Sequence, residues 1–135
     1  MTFVALFGFI GLASCGNDAK SSSAAADAAG TVAPEAIKVS PTIVAAGLTK
    51  LPATIASAIA AISTPEAGAK VDAIERQWAT FEGTVRDTDP NIYLAIEDQL
   101  SPLQNQIKTG DAAKATVTAV TLSDMFTQYL TKHPG

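Results

Sequence analysis

One cysteine and one histidine are all that this 135-residue chain has of the side chains that build zinc sites and thiol or imidazole catalytic pairs. Cys15 stands near the start and His133 near the end, so neither has a natural partner along the chain. Zinc coordination built from Cys and His is excluded on residue supply, and a Cys/His nucleophilic pair has only these two residues, near opposite ends of the chain, to draw on. A single cysteine also means no internal disulfide, so any fold must be held by its core. There is no glycine-rich phosphate cradle, since Gly47, Gly68, Gly83 and Gly110 each stand alone. No run alternates polar and apolar residues beside a turn dipeptide, which removes the strand signal. The net charge is −4, with no block of like charges, so a phosphate backbone has no basic face to meet and nucleic acid is not an expected partner.

What is present begins at the N-terminus. An apolar run over residues 3–12 ends in Leu12-Ala13-Ser14-Cys15, and Gly16-Asn17-Asp18 follows at once. The run is too short to span a bilayer and has the length of a secretory core segment. No Lys or Arg precedes Lys20, so the usual positive flank is missing. The motif nonetheless resembles a bacterial lipobox, in which the cysteine is acylated and becomes the mature N-terminus. That resemblance implies a signal peptide over residues 1–14, a covalent lipid such as palmitate at Cys15, and an extracytoplasmic protein of the cell envelope, periplasmic or surface-facing. Its first partner is then the membrane, through the lipid. The competing reading is an ordinary buried helix with a core cysteine. Residues 15–37, rich in Ala and Ser with Gly30 and Pro34, read as a flexible linker and argue against it.

Beyond that linker the chain turns periodic, and residues 38–135 read as one all-α domain, an up-and-down antiparallel bundle of about four helices. Leu48, Leu51, Ile55, Ile59 and Ile62 mark the first, with Pro52 expected to restart or kink it. The second carries Ala67, Val71, Ile74, Trp78, Phe81 and Val85 in steps of three and four, and the third Tyr93, Ile96, Leu100, Leu103 and Ile107. The fourth, through Ala115, Ala119, Leu122, Phe126 and Tyr129, is interrupted by threonines that favour other conformations. Thr64-Pro65 and Asp89-Pro90 read as N-caps followed by proline, and Thr109-Gly110-Asp111 as a glycine stop followed by a new cap. Pro102 offers a helix break that opens a pocket, or a tolerated proline. His133 reads as a solvated terminal residue.

The remaining chemistry is carboxylate chemistry. If the second and third segments turn at Asp87-Thr88-Asp89, antiparallel register brings Glu82 near Glu97, with Asp98 and Tyr93 beside them. Such oxygen donors suit a hard or borderline metal ion. The plainer alternative pairs Glu82 with Arg86 one turn on and leaves Glu97 solvated. Trp78 and Tyr93 face the same choice between stacking on a ligand and filling the core.

Residues 78–93, WATFEGTVRDTDPNIY, with IEDQL at 96–100 and the break at Gly110-Asp111, resemble imelysin-like lipoproteins and the periplasmic helical parts of ferric-permease systems. The match covers roughly 40 residues, and the imelysin signature of a His three residues before a Glu is absent; Glu82 and Glu97 are its acidic positions. The resemblance implies a non-enzymatic binding or accessory lipoprotein associated with iron or other metal uptake. The alternative is a structural lipoprotein docking an envelope partner protein through a helix face, with no small ligand.

Overall fold

The computed structural model describes residues 38–135, within the compact unit Ala33–Gly135. Cys15 and the segments read from the sequence as signal peptide and linker lie outside the described residues. Five helices follow one another: α1 (Pro41–Ala60), α2 (Ala67–Ala79), α3 (Glu82–Thr88), α4 (Pro90–Thr109) and α5 (Ala112–Lys132). No strand occurs among the described residues, and the fold is all-α. α4 and α5 form the most extensive pair, α1 packs on α2 and α5, and α3 lies against α4.

Helices α2 and α3 together make the expected second segment. The chain breaks between them because Phe81 leaves helical geometry, at φ −140° and ψ −3°. The Thr80 and Phe81 amides reach back only three residues, to Gln77 and Trp78, and tighten the end of α2. The break keeps helical phase, so Trp78, Phe81 and Val85 all stay buried. It also aims Phe81 at α1, where its ring lies on Gly47; a Cβ there would come within 2.9 Å of Phe81 Cζ and closer still to Cδ1 and Cε1. Glycine at this point is thus a packing requirement, and Gln77 adds a bridge by donating to the Gly47 carbonyl and accepting from the Thr54 hydroxyl.

Pro52 does not restart α1, which runs unbroken for 20 residues. The proline removes one intrahelical donor, but Leu48, Leu51, Ile55 and Ala58 bury a continuous row on both sides of it. The same holds at Pro102, where α4 continues unbroken with Leu100, Leu103 and Ile107 buried on either side. Among the described residues α1 alone is long and apolar enough to cross a membrane, yet its buried row belongs to the core of this bundle.

The punctuation is partly as expected. Asp89 accepts from the Ile92 amide and Asp111 from the Lys114 amide, both as N-caps. Gly110 takes φ 84°, and the return bonds from Gly110 to Ile107 and from Asp111 to Gln106 form a Schellman stop. Thr64-Pro65 does not start α2. Thr64 turns its hydroxyl back to the Ala61 carbonyl, Ser63 adopts a left-handed φ of 70°, and α2 begins at Ala67. Four of the five threonines of α5 are absorbed by side-chain bonds to the preceding turn, Thr116, Thr121, Thr127 and Thr131 each donating to the carbonyl four residues back, while Thr118 is buried.

Candidate functional site

On α2, Trp78 is placed at the seam by its spacing from Ile74 and Phe81, and only 4% of it is exposed. Its ring meets Phe81 edge-on at 5.4 Å and stacks on Tyr93 of α4 at 6.2 Å with planes 13° apart. This three-ring contact fixes where α4 lies against α2. The indole nitrogen, one turn further along α4, donates to Glu97 Oε1. The buried body of the tryptophan and its polar tip thus serve two purposes, filling the core and orienting one carboxylate.

Glu82, at the start of α3, faces the same place. Glu75, Glu82, Glu97, Ser101 and Gln104 line a cleft of about 320 Å³ whose floor is Trp78 and Leu100. Partial burial pushes the Glu82 carboxyl above its ordinary range, the Glu97 charge adds to that, and Arg86 opposes both. The Tyr93 phenol is pushed up too, first by burial and then by the charges of Glu97 and Glu82. Two carboxylates 15 positions apart therefore act on one another across a cleft, and Trp78 holds one oxygen of Glu97.

The expected Glu82–Arg86 ion pair does not form; Arg86 turns to Asp87 at 3.7 Å, and Asp87 in turn holds Lys38 at 2.8 Å. Asp98 is exposed and is not part of the cleft, because one residue's rotation along α4 carries it away from Glu97. Trp78 is enclosed by Phe81 and Tyr93 and so is part of the core, while Tyr93 is half-buried. Among the described residues no group of three or more His, Cys, Asp or Glu is arranged to hold a metal ion. A cation here would meet two carboxylates and complete its shell with water and neutral oxygens such as Ser101 and Gln104, which suits a hard ion that keeps part of its hydration.

The sequence marks Asp89 only as a helix cap, and the structure gives it a second role. Besides capping α4 it is 4% exposed and receives Lys132 Nζ at 2.7 Å, and His133 Nε2 stands 3.2 Å away, both from the end of α5. The Lys132 and His133 contacts hold its carboxyl down to about 2, against partial desolvation. His133 also lies on the Tyr129 ring at 4.8 Å, so it is packed where the sequence reads it as solvated. Only the meeting of the two chain regions, 43 residues apart for Asp89 and Lys132, reveals this knot. No family model matches the sequence, and no curated protein or solved structure is significantly similar to it.

Proposed function

We propose that the chain is a membrane-tethered, extracytoplasmic helical lipoprotein that binds a cation in the cleft between α2, α3 and α4, as a non-enzymatic accessory to metal uptake. The observation that carries the reading is the convergence of Glu82 and Glu97 on one cleft with no basic side chain bridging them. A bound cation relieves their mutual repulsion and the desolvation that raises Glu82, so binding is favoured where protonation is. Trp78 acts as a positioning residue by holding Glu97. The Cys15 motif supports the tether, and the resemblance of residues 78–100 to iron-uptake helical proteins supports the cargo class.

Calorimetric titration of ferric, ferrous, copper and calcium ions into the wild-type chain and the Glu82→Gln/Glu97→Gln double variant tests the cleft. The expected result is heat and a raised melting temperature for wild type with at least one ion, and neither for the variant. Equal heats from both proteins, or none from wild type, refute it. The tether is tested separately: Cys15→Ser is expected to release the protein from the membrane fraction and remove the mass of the lipid.

A further inference from the structure

We infer, on the cation-cleft reading above, that α3 couples the cleft to the segment through which the chain enters α1, so that a bound cation fastens the root of the tether. α3 is a piece of helix with a break on each side. Phe81 before it and Asp89 after it both leave helical geometry, at φ −140° and −144°. Its seven residues dock on the bundle as one short unit, through the buried Gly83 and Val85. Glu82, the first of them, lines the cleft. Two residues on, the Thr84 hydroxyl accepts from the Val39 amide at 2.8 Å and donates to the Val39 carbonyl at 3.2 Å. One side chain thus satisfies both backbone groups of a residue just ahead of α1. Asp87 adds an ion pair with Lys38 at 2.8 Å, which counts for little because both side chains are exposed.

Thermodynamic linkage joins the two ends of α3. A cation shared by Glu82 and Glu97 is held only while α3 is docked, because Glu97 belongs to α4. Val39 does not travel with α3: it lies two residues before α1 and packs its own side chain against the core. An opening of α3 therefore loses the cation and the Val39 clasp together. Binding favours the docked state over the open one, and protects Val39 by the same factor as it protects α3. The coupling is reciprocal, so a clasp that holds α3 down also favours the cation. In the empty protein, the burial of Glu82 and the charge of Glu97 work against docking. A cation removes that opposition. The loaded domain is held firmly where its tether begins, and the empty one opens there more readily.

Native-state hydrogen exchange on residues 33–135, read residue by residue by mass spectrometry, tests this. That compact unit contains all of the described core. The probe is calcium ion, or ferrous ion if calcium gives no heat of binding. At about one hundred times its dissociation constant, the Val39 and Val85 amides are expected to slow together by about a hundredfold. Neither is expected to slow in Glu82→Gln. Without ion, Thr84→Val is expected to speed Val85 exchange about fivefold. Thr88→Val, the same change at an exposed position of α3, is expected to leave it unaltered. Heat of binding with Val39 exchange unmoved overturns the coupling and leaves the cleft reading standing. So does a Thr84→Val chain whose Val85 exchange matches that of Thr88→Val. Absence of heat with both ions overturns the cleft reading and the coupling together.

Discussion

Gly47→Ala is a substitution whose sign the structure decides. In an exposed helix interior it should stabilise by roughly 0.5–1 kcal/mol, because alanine loses less backbone entropy than glycine. At this position the new methyl overlaps the Phe81 ring, which is 1% exposed and has no room to withdraw. Either the ring leaves its rotamer or α1 moves away from the α2–α3 junction, and such overpacking costs roughly 1–3 kcal/mol. The Gln77 donation to the Gly47 carbonyl, at 3.2 Å, is disturbed by the same movement. The net expectation is a loss of about 1–2 kcal/mol, which lowers the melting temperature of a domain this size by roughly 5–15 °C. In a Phe81→Ala background the overlap is gone, and the same change should become stabilising by roughly 0.5–1 kcal/mol as the methyl fills part of the cavity. Circular dichroism melts of the four proteins supply the cycle. A Gly47→Ala melting temperature at or above wild type, or an equal loss in both backgrounds, would refute the packing argument.

The Asp89 carboxyl is held to about 2 against an ordinary value of 3.8, so its contribution is present above pH 4 and lost as pH falls from about 4 to about 2. Asp89→Asn should lower stability at neutral pH and flatten that part of the acid unfolding curve; an unchanged acid limb counts against the knot. Glu82 is shifted the other way, so its charge opposes folding at neutral pH and is without effect well below pH 4.5, where both states are protonated. Glu82→Gln should therefore raise the melting temperature slightly at pH 7 and not at pH 3, as paired melts would show. Ser63→Gly should stabilise by about 1 kcal/mol by relieving the left-handed φ of 70°, whereas Ser63→Val should destabilise; denaturant midpoints that order the two the other way would place no strain at the turn.

Spacing along the chain was enough to place most of the core. Val71, Ile74, Trp78, Phe81 and Val85 fall in steps that only a helix satisfies, and all five are buried. The Asp89 and Gly110 boundaries were legible too, because capping is local chemistry between neighbours. The approach of Glu82 to Glu97 followed from a short hairpin turn. The rotation that excludes Asp98 did not, because one residue is 100° on a helix and counting cannot resolve it.

What the sequence by itself determined about this protein is its class: helical periodicity without strands, a core without disulfides, and a supply of carboxylates in place of cysteine and histidine. The tertiary structure alone decided the rest. It overrode Pro52 and Pro102, because the apolar rows flanking each are worth more than one missing backbone bond. It broke the second segment between α2 and α3 at Phe81, whose ring lies over Gly47 of another helix. It turned Arg86 to Asp87, freeing Glu82 for the cleft, and buried Asp89 under the last turn of α5. Each of these depends on groups 20 or more residues apart, or on which side of a helix a long side chain takes, and neither is encoded in local pattern.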